Sequence, residues 1–189
     1  MKRIILFASG NGSNAENICR YFQNAPDVKV AALFCNNAHA KVFERLKPYQ
    51  VPSHLLSRQQ LNNEEEFGPL LNQYHPDLIV LAGFLWLIPA WMVQTYHGRI
   101  INLHPALLPR YGGKGMHGHH VHEAVRASGE IETGITVHFV NEHFDKGEII
   151  FQASVSVQPD DSAADIAAKI SKLEMEHFPR VIEKVLQSA

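Results

Sequence analysis

The chain has 189 residues, 46% of them hydrophobic and 19% charged, which fits one globular domain over residues 1–189 with a sizeable core. Lys and Arg number 17 against 19 Asp and Glu, so no bulk basic field draws the protein to nucleic acid or to an acidic membrane surface. The two cysteines, Cys19 and Cys35, suggest neither a disulfide framework nor a metal-ligand pair and read as buried thiols of a reducing compartment.

The chain begins with Met1-Lys2-Arg3 and an apolar run to Ala8, too short for a secretory leader and leading straight into Gly10-Asn11-Gly12. No apolar stretch approaches a membrane span, and a cytoplasmic protein is expected. Arg3–Ala8 predicts a strand and Ser13–Asn24 a helix. A strand at Lys29–Phe34 follows, then helices at Ala38–Lys47 and Gln59–Tyr74. Next come a strand at Leu78–Ala82, a helix at Pro89–Tyr96, a strand at Arg99–Asn102 and a helix at His117–Ser128. The apolar runs are continuous, as expected of strands covered on both faces. In the last third, Gly134–Val140 and Glu148–Val157 alternate residue types and are expected to pair antiparallel. Ser162 then caps a final amphipathic helix toward Leu186, with Ile166, Ile170, Leu173 and Phe178 on one side. The expected fold class is α/β: a doubly wound, mainly parallel sheet with a C-terminal antiparallel strand.

Three segments carry candidate chemistry. Ser9-Gly10-Asn11-Gly12-Ser13-Asn14-Ala15 lies between a predicted strand and a predicted helix, where free backbone N–H groups and the helix dipole suit a phosphate. The same letters satisfy a dinucleotide fingerprint, but the second strand ends in Cys35-Asn36-Asn37, without the acid that would hold a ribose. A purely structural turn is the third reading. In Asn102-Leu103-His104-Pro105, alternation along an extended chain points Asn102 and His104 the same way at a strand's carboxyl end. An amide donor beside an imidazole suits acyl transfer, the amide serving an oxyanion and the imidazole a departing nitrogen; a structural strand-end His is the plain alternative. Asp145, before Lys146-Gly147, reads as a turn residue, or as a carboxylate that keeps His104 charged if it reaches it. His117, His119, His120 and His122 form a histidine cluster without Cys or carboxylate at a ligand spacing; no metal is expected there, and the cluster reads as a solvated or substrate-facing helix start.

Taken together, Gly10-Asn11-Gly12-Ser13-Asn14, Leu81-Ala82-Gly83-Phe84, Asn102-Leu103-His104-Pro105-Ala106-Leu107-Leu108-Pro109, Thr136-Val137-His138-Phe139-Val140 and Asp145-x-Gly147 resemble the glycinamide ribonucleotide (phosphoribosylglycinamide) formyltransferases, within the folate-dependent formyltransferase family. The likeness runs from Lys2 to about Ile182. It implies a Rossmann-like formyltransferase fold and transfer of the formyl group of 10-formyltetrahydrofolate to the amine of 5-phosphoribosylglycinamide, in purine biosynthesis and without a metal. It implies that Gly12, Ser13 and Asn14 hold the ribonucleotide phosphate and that Glu174 contacts the same substrate. It gives Leu85, Trp86, Leu87 and Ile88 to a pterin pocket, Asn141, Glu142, His143, Phe144 and Asp145 to a second folate-contacting loop, and Arg58 to the folate's outer part. Asn102, His104 and Asp145 match the catalytic trio, with Asn102 also touching the folate.

The chain departs from the family where Trp86 stands in place of a common Arg, in Ser171-Lys172-Leu173, and in the long loop Tyr111–His117, from which no His is assigned. The partners implied are small molecules, with no nucleic acid and no membrane, and the oligomeric state is open. Rival readings are a formyltetrahydrofolate hydrolase, with water as the nucleophile, and a non-catalytic nucleotide-binding module. A methionyl-tRNA formyltransferase would need a further nucleic-acid-binding domain and a basic surface.

Overall fold

In the computed structural model, which describes residues 1–188, strand β1 (Lys2–Ala8) runs through the middle of a seven-stranded sheet. Alternation sends Ile4, Leu6 and Ala8 to one face and Ile5 and Phe7 to the other, and all five are fully buried. A strand apolar on both sides needs cover on both sides, and the chain supplies it by winding helices onto each face.

The other elements, in chain order, are α1 (Ser13–Phe22), β2 (Val28–Cys35), α2 (Val42–Leu46) with one 3-10 turn at Lys47–Tyr49, β3 (Ser53–Leu55), α3 (Arg58–Asn62), α4 (Glu64–Asn72), β4 (Leu78–Leu81), α5 (Ala90–Thr95), β5 (Ile100–His104), α6 (His119–Ala127), β6 (Glu132–Phe139), β7 (Ile149–Ser156) and α7 (Ala163–Ser188). The sheet order is β3-β2-β1-β4-β5-β6-β7. The first five strands in that order are mutually parallel, β6 runs antiparallel to β5, and β7 antiparallel to β6. Helices α1, α2, α6 and α7 close one face around Ile18, Phe22, Val125, Ile170 and Phe178. The opposite face holds Leu61, Phe67, Leu71 and Met92 from α3, α4 and α5. This is the expected doubly wound, mainly parallel sheet with an antiparallel C-terminal edge.

Several boundaries differ from the sequence reading, each for a local reason. The helix expected over Gln59–Tyr74 is two helices, because Asn63 is extended (φ −103°, ψ 98°) and its side chain accepts the Glu66 N–H, starting a new helix. Ser57 and Gln60 form a reciprocal capping box on the first of them. The three-residue β3, paired to β2 at the sheet edge, was not foreseen; so short a strand carries no period to read. Strand β5 runs on through His104, so Asn102 and His104 both belong to it.

Helix α7 starts at a second reciprocal cap, in which Ser162 Oγ accepts the Asp165 N–H and Asp165 accepts the Ser162 N–H. It continues through Pro179, which cannot donate to the carbonyl of Met175. The Asn17 amide of α1 donates to that carbonyl instead, at 2.9 Å.

The site is positioned by the centre of the sheet. Strands β1 and β4 are neighbours, but the chain leaves them toward opposite faces, and a crevice opens at their carboxyl ends. The two loops are tied together there: the Ser9 N–H donates to the Gly83 carbonyl at 3.0 Å, and Ser9 Oγ accepts the Leu85 N–H at 2.9 Å. Gly12, at φ 77°, turns the chain into α1, and a Cβ there would stand 2.5 Å from Val42 Cβ.

Candidate active site

The crevice deepens into a cavity of about 900 Å³. Loops after β4, β5 and β6 reach it, together with single residues from α1, α3, α6 and α7. Its lining includes Asn14, Arg58, the run Leu85–Ile88, Asn102, His104, His143, Phe144, Asp145 and Glu174. Gly12, Ser13, Asn141 and Glu142 do not line it. Asn141 instead accepts the His143 N–H and shapes the turn, while Glu142 is exposed.

The centre of the site is built across two antiparallel strands. In the β5–β6 register Asn102 stands opposite His138 and His104 opposite Thr136. Cross-strand neighbours lie on the same side of a sheet, so the four side chains share one surface. Thr136 Oγ1 accepts the Leu108 N–H at 3.0 Å and donates to the Ala106 carbonyl at 2.7 Å, and Gln152 donates to the Leu108 carbonyl at 3.0 Å. The apolar Pro105–Pro109 turn is thereby pinned to β6 and β7.

Asp145 closes the arrangement from the β6–β7 loop. It adopts a left-handed φ of 54°, a conformation that Asp tolerates better than most residues. Gly147 allows the return of the chain, since a Cβ there would come within 1.6 Å of the Phe139 carbonyl oxygen. Asp145 Oδ2 accepts the Gly113 N–H at 3.0 Å and lies 3.5 Å from His104 Nδ1. Oδ1 accepts from the Asn102 amide at 3.3 Å and lies 3.6 Å from His138 Nε2. Burial alone would raise the carboxyl pKa, but the His138 ring, the His104 ring and the Gly113 N–H outweigh it and hold Asp145 below its usual value.

The rings have defined tautomers. His138 Nδ1 donates to the Phe139 carbonyl at 2.8 Å, so in the neutral ring Nε2 accepts from the Asn102 amide at 3.1 Å, and in the protonated ring Nε2–H faces Asp145 Oδ1 instead. Both hydrogens of the Asn102 amide are therefore engaged, one by His138 and one by Asp145. His104 Nε2 is 2.7 Å from the carbonyl oxygen of Tyr111. A carbonyl only accepts, so Nε2 carries a fixed hydrogen and Nδ1, facing Asp145, is the position that gains or loses a proton.

Burial pushes the His104 pKa down, Asp145 and the Tyr111 carbonyl pull it up, and His138 adds to the downward push; the net direction is down. This corrects the expectation that Asp145 keeps His104 charged. The carboxylate acts in the expected direction, but at 3.5 Å, beyond a normal hydrogen bond, it does not overcome the loss of water around a ring only 3% exposed.

On the side of α1 and α7, Asn14 donates to Glu174 Oε2 at 2.9 Å, and its own Oδ1 is buried without a protein partner. Burial raises the Glu174 pKa, and the Asn14 hydrogen bond offsets part of the rise. On the opposite face the Arg58 guanidinium lies 4.6 Å over the Trp86 ring, which packs against Phe84. Among the described residues, no group of three or more His, Cys, Asp or Glu is arranged to hold a metal ion; His119 pairs with Glu123 on the helix surface at 2.8 Å.

Sequence reasoning missed His138, the Tyr111 carbonyl, the Gly113 N–H, and the cavity-lining Lys114 and Met116; His117 and His122, read as part of a solvated or substrate-facing helix start without an assigned role, line the cavity too. His138 was within reach, because it alternates with Thr136 in a predicted strand, but the pairing that sets it against Asn102 is not written in either strand alone. The backbone groups leave no mark in residue type.

The family model described as Formyl transferase matches residues 2–182. A Bacillus subtilis protein named phosphoribosylglycinamide formyltransferase is 38% identical, with 98% of this chain and 95% of that one aligned. The Escherichia coli protein of the same name is 36% identical, over 95% of this chain and 84% of its own. The crystal structure of phosphoribosylglycinamide formyltransferase from Anaplasma phagocytophilum superposes with a TM-score of 0.88 at 31% identity, covering 99% of this chain and 88% of that one. Glycinamide ribonucleotide transformylase 1 from Geobacillus kaustophilus gives 0.88 at 34% identity, over 98% and 99% of the two chains. With the sheet order, the carboxyl-end cavity and a family match over nearly the whole length in agreement, this chain belongs to the formyl transferase family.

Proposed function

We propose that this chain transfers the formyl group of 10-formyltetrahydrofolate to the amine of 5-phosphoribosylglycinamide, a step of purine biosynthesis. The observation that carries the reading is the convergence of Asn102, His104 and Asp145 on one cavity that also draws Asn14 and Glu174 from one face of the sheet and Arg58 and Trp86 from the other. Two substrates of different chemistry need two differently lined regions with reactive groups between them. The α1 and α7 side, polar with the start of a helix, suits the ribonucleotide, with Gly12, Ser13 and Asn14 at its phosphate and Glu174 at its sugar. The side lined by Leu85–Ile88, His143 and Phe144 suits a pterin, with Arg58 toward the outer, carboxylate-bearing part of the folate.

The amine nitrogen attacks the formyl carbon, and the carbonyl π pair moves onto oxygen. The Asn102 amide exchanges its longer hydrogen bond, the one to Asp145, for the oxyanion. His104 begins neutral, so its Nδ1 lone pair takes the proton that the attacking nitrogen must lose, and Asp145, held ionised, stabilises the imidazolium that results. As the oxygen pair reforms the carbonyl, the bond to the folate nitrogen breaks and Nδ1–H returns the proton to that nitrogen. No metal takes part in this scheme. The partners are these two small molecules, and the place of action is the cytoplasm; among the described residues, no helix is long and apolar enough to cross a membrane.

Purified protein, 10-formyltetrahydrofolate and 5-phosphoribosylglycinamide are the test. Formylated ribonucleotide should form in step with loss of the formyl folate. Formate released at the same rate with and without the ribonucleotide would make the chain a hydrolase, and absence of turnover with binding of the ribonucleotide alone would make it a binding module.

A further inference from the structure

The side chain of Tyr111 is outside the cavity, yet its carbonyl is what holds His104 Nε2. The residue sits at a left-handed φ of 56°, an uncommon conformation for an aromatic residue that persists when its surroundings hold it there. What holds it is on the far side of the loop. The Tyr111 hydroxyl donates to Glu130 Oε1 at 2.7 Å. The Glu130 carboxylate also pairs with Arg110, whose guanidinium lies 5.6 Å over the Tyr111 ring. Glu130, just ahead of β6, has a side chain only 16% exposed. Two residues beyond Tyr111, the Gly113 N–H holds Asp145. The main chain of residues 111–113 is therefore bound on one side to the two reactive groups and on the other to one partly buried carboxylate. Arg110, Tyr111 and Glu130 line a separate cleft of about 320 Å³, so their side chains do not meet substrate in the main cavity.

We propose that Tyr111 and Glu130 are positioning residues for His104: the phenol–carboxylate hydrogen bond fixes the loop main chain whose carbonyl orients the imidazole and keeps the exchangeable proton on Nδ1. The proposal rests on the role given to His104 above. The ring faces Asp145 at 3.5 Å and feels the charge of His138, with His122 and Glu174 farther around the same cavity, and none of these is altered when the anchor is cut.

The variants are Tyr111→Phe, Glu130→Ala and Glu130→Gln, each checked by thermal melting. Tyr111→Phe and Glu130→Ala should lower kcat by up to roughly 10²-fold, the loss that a misplacement of about 1 Å can cause, with little change in KM for the ribonucleotide. Losing a steady acceptor for Nε2–H disfavours the protonated ring, so the His104 titration, followed by NMR of the labelled imidazole without substrate, should move to lower pH. Glu130→Gln keeps an oxygen for the phenol and should restore most of the lost turnover. An unmoved His104 titration with wild-type kcat in Tyr111→Phe would overturn the proposal, as would equal losses in Glu130→Gln and Glu130→Ala with the titration in place. Failure of the underlying reading looks different: His104→Ala would then keep its turnover, whatever Tyr111→Phe does to the ring.

Discussion

Burial and a neighbouring carboxylate pull the His104 imidazole in opposite directions, and burial is the larger. Asp145→Asn removes the upward pull, so the limb of the pH–rate profile that belongs to His104 should move to lower pH. Profiles at saturating folate measure this, and an unmoved limb would reduce Asp145 to a turn residue with a left-handed backbone. Asn102 has no proton to titrate, so Asn102→Ala should depress the rate at every pH by roughly 10²–10³, the loss seen when one oxyanion donor is removed. At the glycine turn after β1, proposed to hold the phosphate, the obvious probe is misleading. A side chain at Gly12 meets Val42 before it meets a ligand, and the φ of 77° adds strain, so Gly12→Ala should lower Tm by several degrees, on the order of 1–3 kcal/mol of overpacking. Asn14→Ala is the cleaner change: KM for the ribonucleotide should rise while KM for folate holds, and parallel changes in both would remove Asn14 from the substrate side. Asn102 and His104 were legible as a pair because alternation along one strand is enough to put them side by side. Their orienting groups were not, because His138 depends on a register between strands and Tyr111 acts through a carbonyl that any residue possesses.

Among the elements, the long periodic segments were the most legible and the short ones the least. Helix α7 announces itself through Ser162 and the apolar positions Ile166, Ile170 and Phe178, whereas β3 and the break at Asn63 are decided by pairing and by a cap. Pro179 is the place where local propensity and the fold disagree. A proline there should weaken the helix, and the chain compensates by lending the Met175 carbonyl the amide of Asn17 from another helix. That arrangement predicts a coupling. Asn17→Ala leaves a carbonyl without a partner and should cost ~1–3 kcal/mol by denaturant unfolding. In a Pro179→Ala background the helix supplies its own N–H to Met175, and the same Asn17→Ala change should cost clearly less. Equal costs in both backgrounds would mean that Asn17 contributes by packing and not through that carbonyl.

For the whole molecule, the doubly wound sheet was readable from alternating apolar runs and helices, but the convergence of the site was not, since residue 14 and residue 174 meet only after the last helix has docked. Their meeting has a thermodynamic signature. Burial raises the Glu174 pKa in the folded state, so between its unfolded and folded values the native protein holds the extra proton and stability falls as pH rises. Below that window there is no penalty, and above it the penalty is complete. Glu174→Gln should therefore unfold at higher denaturant than wild type at neutral pH, lose that slope, and bind the ribonucleotide less well; a variant no more stable than wild type would mean that Asn14 fully compensates the buried charge. A last consequence is optical. The chain has two tryptophans, and both Trp86 and Trp91 pack against the face formed by α3, α4 and α5. Its tryptophan emission, excited selectively over the five tyrosines, thus watches that face and is nearly blind to α1 and α7. Trp91 donates its indole N–H to the Leu61 carbonyl and should give a steady background, while Trp86, under the Arg58 guanidinium at the cavity wall, should respond to a pterin. Adding folate should quench or shift the emission and adding ribonucleotide alone should leave it nearly unchanged, so one cuvette would tell which half of the site is filled; a ribonucleotide signal as large as the folate signal would mean that the two halves move together.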